Sequence, residues 1–317
     1  MALSFLPKTI DHVNVPPIKC QGIKTKLVPF IAENIHWDGQ GRWIEPFLGS
    51  GVVAFNIAPK HAILSDSNKH VINFYSEIQS GRITPEIAKK FLVENGKLLS
   101  EHGDEYYYEV RKRFNANGDP LDLLFLNRGC FNGVMRFNSK GGFNVPFCRK
   151  LDRFRASYIT KIVNQIKWVS QALSGRDWTF TYGDWREVLS KAQSNDFVYL
   201  DPPYIGRHTD YYNSWSEEDA VDLAIRSQKL DCGFALSMWY ENKYRKNEHI
   251  PEYWSGNIIR TFSHFYHVGS KESLRNAMTE ALVIKRGYEA DMQPVETPTL
   301  DDFKPSKNEN NLCRTEF

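Results

Sequence analysis

The stretch Trp43-Ile44-Glu45-Pro46-Phe47-Leu48-Gly49-Ser50-Gly51 decides the fold of this chain. It begins as a short apolar strand and runs into a turn with two glycines. A helical stretch, 52–57, follows and is stopped by Pro59. Glycines at such a strand-to-helix turn let a nucleotide-like cofactor approach the backbone, with the helix N-terminus behind it. The spacing is not the dinucleotide fingerprint, and a plain turn is the alternative for a lone Gly-x-Gly.

A second strand ends in a carboxylate shortly after this helix. Residues 62–66 read Ala-Ile-Leu-Ser-Asp, so Asp66 stands at the end of an apolar run. An open α/β sheet places an acceptor for ribose hydroxyls at such a position. The two motifs together therefore predict a cofactor site at the carboxyl edge of an α/β sheet.

A third motif, Asp201-Pro202-Pro203-Tyr204, follows the apolar run 197–200. An exocyclic amine such as that of adenine is a poor nucleophile because its lone pair is delocalised into the ring. Asp201 and the Pro202 carbonyl, which the prolines hold in place, would accept its two hydrogens and aim the lone pair at an electrophilic methyl group. Tyr204 offers a face on which a base can stack. The motif thus predicts methylation of an amino nitrogen; the alternative is a proline turn that closes a buried strand, with Tyr204 as a plug.

In this combination the chain resembles the Dam-type (D12 class) adenine-N6 DNA methyltransferases, from about Pro17 to about Lys285. The cofactor motif precedes the catalytic turn and a long recognition segment separates them, as in the alpha group of amino-methyltransferases. The resemblance implies an α/β fold, a Rossmann-like S-adenosylmethionine-dependent methyltransferase sheet with an inserted, mostly helical DNA-recognition subdomain carrying a β-hairpin. Further family motifs are Lys19-Cys20-Gln21-Gly22-Ile23-Lys24, Ser65-Asp66-Ser67-Asn68, the stretch Leu126 to Cys148, and Tyr182-Gly183-Asp184.

The implied organisation has four parts. Residues 1–80 form the N-terminal part of the catalytic domain with the cofactor motifs, and 81–155 form the target-recognition subdomain. Residues 156–287 form the C-terminal part of the catalytic domain with the catalytic turn. Residues 288–317 are rich in prolines, acids, asparagines and lysines, which predicts a flexible tail.

The resemblance also implies the cofactor, S-adenosyl-L-methionine, with S-adenosylhomocysteine as product and no metal. The implied catalytic residues are Asp201, Pro202, Pro203 and Tyr204. The chain departs from the family at Cys20, where a tryptophan is usual, and at Ile23, where a second glycine is usual. The implied cofactor-binding residues are Lys19, Gly22 and Lys24 at the N-terminal part of the pocket, Glu45, Pro46, Phe47, Gly49 and Gly51 under the methionine portion, Asp66 at the ribose, Asp184 at the adenine ring, and Asp201.

Basic residues are concentrated between Arg111 and Lys161, although the formal net charge is only +2. A protein that grips a polyanion with so little net charge needs its basic residues on one face. The alternative for such a run is a solvated surface. Capping residues and apolar spacing predict helices over about 85–99, 105–114 and 120–129, followed by a hairpin of 134–138 and 143–147 around Ser-Lys-Gly-Gly.

In the family, the matching segment reads the target sequence and wedges into the duplex. Extrusion of the base is needed because its amine lies inside the helix. Ordinary core packing is the alternative for Phe131. The resemblance implies that Arg128 and Arg149 contact phosphates or bases, that Phe131 and Asn132 fill the gap left by the extruded adenine, that Arg136 reads a guanine, and that Lys140 lies on the same DNA-binding hairpin.

Two later segments are assigned more loosely. The aromatic loop 208–215 follows the catalytic turn and either covers the flipped base or forms a surface loop with an aromatic anchor. Glu272, Arg275 and Asn276 resemble a late polar stretch of the family that touches the DNA backbone.

The sequence therefore predicts a site-specific adenine-N6 methyltransferase that acts on double-stranded DNA by direct in-line transfer. A short GAT-containing site and pairing with a restriction endonuclease are hypotheses. Lack of a Pro-Cys nucleophile motif argues against cytosine-C5 chemistry. Alternatives are methylation of cytosine N4, an RNA adenine or a glutamine amide, whose enzymes more often carry Ser or Asn in place of Asp201. A catalytically silent DNA-binding module is favoured only by Cys20 and Ile23.

Composition agrees with this prediction. The chain of 317 residues is 41% hydrophobic and 25% charged, enough to bury a full core. It shows neither an apolar run of membrane-span length nor a signal peptide at its start, so we expect a cytoplasmic protein without membrane contact. We also expect the protein to be a monomer. The five cysteines are scattered at 20, 130, 148, 232 and 313, which predicts reduced thiols rather than disulfides or a zinc site.

Overall fold

A seven-stranded sheet forms the centre of the fold. The computed structural model describes residues 4–138, 140–204, 215–242, 245–265 and 277–291. The order of the strands across the sheet is β3-β2-β1-β4-β5-β7-β6. In chain order the strands are β1 (Trp43–Glu45), β2 (His61–Asp66), β3 (Asp177–Tyr182), β4 (Phe197–Leu200), β5 (Gly233–Asn242), β6 (Ile258–Phe265) and β7 (Ala277–Ile284).

Most of the sheet is parallel. Strands β1 to β5 pair in parallel, whereas β7 lies antiparallel between β5 and β6. The chain winds outward from β1 to β3 and then returns to β4 on the other side of β1. Connections therefore diverge at the carboxyl ends of β1 and β4 and leave a crevice there. This architecture confirms the predicted α/β, Rossmann-like sheet.

Helices cover the sheet, and local capping starts several of them where the sequence predicts. The Thr84 side chain accepts a hydrogen bond from the Ile87 N–H, and Asp119 accepts from the Leu121 N–H, each before a proline at the first helical position. The three predicted helices are confirmed; the first two continue to residues 102 and 117, and the third has the predicted bounds. The described helices are α1 (Val28–Asn34), α2 (Val52–Ile57), α3 (Lys69–Gln79), α4 (Pro85–His102), α5 (Asp104–Asn117), α6 (Pro120–Gly129), α7 (Ala156–Leu173), α8 (Trp185–Leu189), α9 (Glu217–Gln228) and α10 (His249–Tyr253).

Two apolar cores hold these layers together. One joins a face of the sheet to α1–α7 and runs without interruption into the helical segment, where it includes Leu92, Phe114 and Phe125. The other lies between the opposite face of the sheet and α8 and α9. Helices α4–α6 thus share a core with the sheet, and the division of the chain at residues 80 and 155 stays a prediction.

The predicted hairpin reverses direction as expected but is not built from extended strands. The Asn144 N–H donates to the Arg136 carbonyl at 3.1 Å, and Phe137 faces Phe143 in an isolated antiparallel bridge. Both phenylalanine rings are buried, and Phe137 stacks on His70 with ring centroids 5.3 Å apart. A second backbone hydrogen bond runs from the Asn138 N–H to the Gly142 carbonyl at 2.8 Å, so two such bonds and the packing of these rings into the core hold the reversal.

Some of the predicted features lie outside the described residues. These are the loop 205–214, the polar stretch with Glu272, Arg275 and Asn276, and the tail from residue 292 onward. Among the helices that are described, none has the length and apolar character needed to span a bilayer.

Candidate active site

A cavity of about 570 Å³ opens at the carboxyl edge of the sheet, where the strand order reverses between β1 and β4. This is the place where doubly wound sheets bind their ligands. Segments that are far apart in the sequence meet in its wall. Of the predicted cofactor residues, Gly22, Lys24, Glu45, Pro46, Phe47, Gly49, Asp66, Asp184 and Asp201 line the cavity.

The remaining two predicted cofactor residues do not line it. Gly51 acts through the backbone, since its φ of 72° caps α2 and a Cβ there would lie 2.6 Å from the Phe55 ring. Lys19 precedes the lining segment, which begins at Cys20, and its side chain lies against Gly133 instead. The two family departures, Cys20 and Ile23, both lie in the wall.

Asp66 is fixed in the wall by backbone donors. The Gly49 N–H donates to Oδ2 and the Asn68 N–H donates to Oδ1, each at 2.8 Å. Burial raises the pKa of this carboxyl, and the two N–H donors oppose that rise. The carboxylate is therefore held in one orientation at the end of β2, as a ligand for paired hydroxyls requires.

Glu45 lies at the end of β1 and is almost fully buried. Its Oε1 accepts a hydrogen bond from the Trp43 indole N–H at 2.7 Å. Burial raises the pKa of Glu45 to about 8, so the carboxyl is mainly protonated at neutral pH. Charge on this group thus depends on what else occupies the cavity.

Asp201 stands at the end of β4 and is held by a cation and a hydroxyl. Its Oδ1 lies 2.8 Å from Lys24 Nζ and accepts from Ser237 Oγ at 3.1 Å. The Tyr199 hydroxyl donates in turn to Ser237 Oγ at 2.9 Å. Burial raises the pKa of Asp201, and the Lys24 ammonium works against that rise. Within the described residues, both hydrogen bonds to the carboxylate end on Oδ1.

Lys24 is the buried cation of the site. Burial alone would lower the pKa of its amine, but Asp201, Tyr204 and Glu280 outweigh it and raise the pKa well above its usual value. Its ammonium lies 5.0 Å from the centroid of the Tyr204 ring and also donates to the Gly22 carbonyl at 3.0 Å. Lys24 therefore connects the N-terminal motif directly to the catalytic turn.

Tyr204 is anchored by a residue that the sequence analysis missed. Its hydroxyl donates to Glu280 Oε2 at 3.0 Å, and Glu280, on β7, is only 1% exposed. One signal could have found Glu280, because it is the single carboxylate in the otherwise mainly apolar run 277–284. Ser237 was also missed, since a serine within the apolar strand β5 carries no comparable signal.

Aromatic rings line the part of the cavity next to Asp184. Phe47 lies 5.5 Å from Trp215 and 6.2 Å from Trp185, between ring centroids. Asp184 itself caps α8 by accepting from the Arg186 N–H at 2.8 Å. This end of the cavity offers flat apolar faces beside a carboxylate, a combination suited to an aromatic heterocycle.

The residues predicted to contact DNA lie mostly on the surface. Phe131 is 55% exposed in the 3₁₀ turn Phe131–Gly133, which rules out core packing for its ring. Asn132 beside it is exposed with φ of 54°. Lys140 is exposed, and the Arg149 side chain is 86% exposed. Arg136 is half-buried, with its Nε donating to Asn144 Oδ1 at 2.9 Å.

Arg128 differs from this group. Its side chain is 3% exposed, and it donates to Gln165 Oε1 inside the protein. A guanidinium so enclosed has no free face for direct contact with a duplex, because residues 122–129 of α6 are all buried. In the structure Arg128 therefore lies beneath the surface and contacts Gln165, whereas the resemblance predicted a contact with a phosphate or a base.

Cysteines and candidate metal ligands add no further site. Cys20, Cys130, Cys148 and Cys232 are free thiols. In the ranges that the structure describes, no group of three or more His, Cys, Asp or Glu side chains is arranged to hold a metal ion.

The order of the strands, the glycine turn and the position of the cavity define an α/β protein of the class that binds a nucleotide-like cofactor at the switch point of its sheet. The chain belongs to the D12 class N6 adenine-specific DNA methyltransferases, since that family matches residues 21–273. This match confirms the family predicted from the sequence motifs.

Relatives of known name agree with this membership. Type II methyltransferase M1.LlaDCHI of Lactococcus lactis subsp. cremoris is 29% identical over 295 residues, which cover 87% of this chain and 98% of that protein. DNA adenine methylase of Vibrio cholerae is 32% identical over 237 residues, which cover 71% of this chain and 80% of that protein. Type II methyltransferase M.MjaIII of Methanocaldococcus jannaschii is 30% identical over 247 residues, which cover 68% of this chain and 80% of that protein. Among solved structures, an rRNA methyltransferase of Streptomyces viridochromogenes aligns over 76% of each chain with a TM-score of 0.28, too low to carry a conclusion.

Proposed function

We propose that this protein transfers a methyl group from S-adenosyl-L-methionine to the N6 amine of an adenine in double-stranded DNA. The observation that carries the proposal is the position of Asp201, which lines the large cavity and belongs at the same time to the Asp-Pro-Pro-Tyr turn. Methyl donor and acceptor amine can therefore meet at one carboxylate. Membership of the adenine-specific family supports adenine as the base.

The residues in the wall fit this cofactor. Asp66, fixed by two backbone N–H groups, would accept the ribose hydroxyls. Asp184 and the rings of Phe47 and Trp185 would hold the adenine ring of the cofactor, and Glu45 would face its methionine portion. The open space around Gly49, where an added Cβ would meet nothing, leaves room for the ligand against the turn. When bound, the cofactor supplies an electrophilic methyl group.

The turn would activate the amine by holding its hydrogens. Asp201 Oδ2, on the side of the carboxylate opposite Lys24 and Ser237, would accept one N–H, and the Pro202 carbonyl would accept the other. Tyr204, anchored to Glu280, would stack on the base. Attack is direct and in line, without a covalent enzyme intermediate. The surplus N6 proton leaves after transfer, with Asp201 as a relay to solvent.

The segment 81–155 would recognise the duplex. Phe131 and Asn132 on their exposed turn would fill the gap left by the extruded adenine. Arg136 would read a guanine, and Lys140 and Arg149 would contact phosphates.

The biological setting is inferred from relatives. Two of them are named type II methyltransferases, and we infer that this protein, working as a monomer, is the modification half of a restriction system with a short GAT-containing site. Methylation-sensitive sequencing of DNA from a heterologous host that expresses the protein would reveal the site.

Transfer of a labelled methyl group tests the function. The protein is incubated with labelled S-adenosyl-L-methionine and unmethylated duplex DNA, and the DNA is digested to nucleosides. We expect label in N6-methyladenine. Label in N4-methylcytosine, or label in RNA or protein but not in DNA, would contradict the proposed substrate. Absence of cofactor binding would leave a silent DNA-binding module.

Cofactor binding is expected to release a proton from Glu45. Burial raises the pKa of the carboxyl to about 8, and a cationic ligand beside it would lower that pKa. At pH 7 part of the protonated population would then ionise on binding. Calorimetry in buffers of different ionisation enthalpy measures the proton count; we expect release at pH 7 that disappears in Glu45→Gln. Equal binding enthalpies in all buffers for the unmodified protein would refute the idea.

A further inference from the structure

Basic side chains gather around Tyr158 at the start of α7. The guanidinium of Arg153 lies 4.9 Å from the centroid of the Tyr158 ring, and that of Arg128 lies 5.9 Å away. Lys19 is close enough to influence the same hydroxyl. Burial would raise the pKa of Tyr158, but Arg128, Lys19 and Arg153 outweigh it and lower the pKa. We call Lys19, Arg128, Arg153 and Tyr158 the Tyr158 cluster.

Three carboxylates in the segment between residues 104 and 152 have basic partners outside the Tyr158 cluster. Asp122 pairs with Arg113, Asp104 lies 3.9 Å from Arg149, and Asp152 pairs with Arg155 at 3.0 Å. Within the described ranges, none of the three cations of the cluster forms an ion pair. The cluster therefore carries positive charge that the described part of the protein does not neutralise.

Burial of Arg128 makes this unneutralised positive charge energetically unfavourable. It is 3% exposed, its Nε has no hydrogen-bond partner among the described residues, and burial lowers the pKa of its guanidinium. Arginine nevertheless stays charged in proteins. Holding an uncompensated cation inside a protein is unfavourable, so an anion that binds at the cluster would gain more than at an ordinary surface arginine.

The Tyr158 cluster is fixed next to the exposed turn of Phe131. The backbone of Lys19 exchanges two hydrogen bonds with the Asn127 side chain, at 2.8 and 2.9 Å. The Lys19 side chain packs on Gly133, where an added Cβ would lie 2.8 Å from it. Arg153 Nε donates to the Arg128 carbonyl at 2.6 Å. The cations are thus positioned by the backbone that also forms the turn.

We propose that Lys19, Arg153 and the Tyr158 hydroxyl, backed by the buried Arg128, bind one phosphate of the DNA backbone beside the Phe131 turn. Cationic donors and a hydroxyl match the acceptor oxygens of a phosphodiester. The cofactor is not the anion, because Lys19, Arg128, Arg153 and Tyr158 are all absent from the wall of the large cavity. This site rests on the proposed function in that duplex DNA is the ligand.

Salt dependence of DNA binding tests the site. Affinity of the full chain is measured from low to moderate salt for an unmethylated duplex that contains a GAT site and for a scrambled duplex of equal length. Loss of one phosphate contact lowers the slope of log K against log salt by about 0.9. We expect Arg153→Met to lower the slope on both duplexes, by no more than that amount because Lys19 still faces the same phosphate, with affinity for S-adenosyl-L-methionine unchanged.

Arg155→Met is the matched control, because Arg155 lies two residues away, is exposed and is paired with Asp152. It should leave the slope at the value of the unmodified protein. Arg153→Lys should keep the slope although it loses the Nε bond to Arg128, and Lys19→Met should lower it while the backbone ties to Asn127 persist. These two variants separate loss of charge from loss of structure.

Several outcomes would overturn the site. One is an unchanged slope in both Arg153→Met and Lys19→Met, and another is an equal loss in Arg155→Met. A loss confined to the duplex with the GAT site would indicate a base contact instead. Failure of the unmodified protein to bind either duplex would also overturn the site. Failure of the proposed function is distinguishable from these. It would appear as absence of labelled N6-methyladenine, whereas the salt slopes require no transfer.

Discussion

Asp201→Ala is expected to abolish methyl transfer while leaving DNA binding largely intact. The carboxylate would act on the amine and not on phosphates, so its removal takes away the acceptor that orients the nucleophile. We expect the rate of a single turnover to fall on the order of a thousandfold or more. Quench-flow measurement of labelled transfer gives the rate, and fluorescence anisotropy of a labelled duplex gives the affinity. Full activity in the variant would refute the catalytic assignment.

Ser237→Ala is the matched control for this prediction. It removes one hydrogen bond to Asp201 Oδ1 and leaves the carboxylate and Lys24 in place. Loss of one hydrogen bond to a charged group is expected to lower the rate by on the order of a factor of ten. The rate should therefore fall far less in Ser237→Ala than in Asp201→Ala. Asp201→Ala also leaves Lys24 without its partner, and thermal unfolding of both variants shows whether the fold survives.

The strands that lead into a motif could be predicted from the sequence, whereas β6 and β7 could not. Apolar runs at 43–45, 62–66 and 197–200 lead into glycine, acid or proline turns, and each was found as β1, β2 or β4 within one residue. Strands β6 and β7 end in no such turn. Their antiparallel insertion beside β5 is a pairing between distant segments, which no local pattern encodes.

Burial of α6 explains why Arg128 does not lie on the surface. Leu121, Leu124, Phe125 and Arg128 follow a 3.6-residue repeat, which places Arg128 on the same side of α6 as apolar residues. Its resemblance to a family position predicted a contact with a phosphate or a base. In the structure every residue from Asp122 to Gly129 is buried, so the arginine is enclosed together with the rest of the helix.

The active site was predictable as a set of residues but not as a set of partners. Motifs identified Lys24 and Asp201 separately, yet their 2.8 Å pairing joins segments that lie far apart in the sequence. Ser237 and Glu280 complete the same network from strands β5 and β7. Partnerships of this kind follow from the order of strands in the sheet, so they become visible only with the fold.

Lys24→Met is expected to move the acid limb of the pH–rate profile to higher pH. Asp201 must be ionised to accept the amine hydrogen. Burial raises the pKa of this carboxyl and Lys24 opposes the rise, so removal of the ammonium raises the pKa further. Transfer at neutral pH should fall strongly and recover in part as pH increases. Lys24→Arg, which keeps a cation, should retain the original limb.

Stability should respond to pH in the same variant and with a definite sign. In Lys24→Met the folded protein holds Asp201 protonated at pH values where the unfolded chain has already released that proton. The free energy of unfolding should therefore decrease as pH rises from the ordinary pKa of an aspartate to its raised folded value. Thermal unfolding across this range measures the trend, with the unmodified protein as reference. The acid limb and the stability curve of Lys24→Met could both coincide with those of the unmodified protein. That result would mean that Lys24 acts on the cofactor and does not control the ionisation of Asp201.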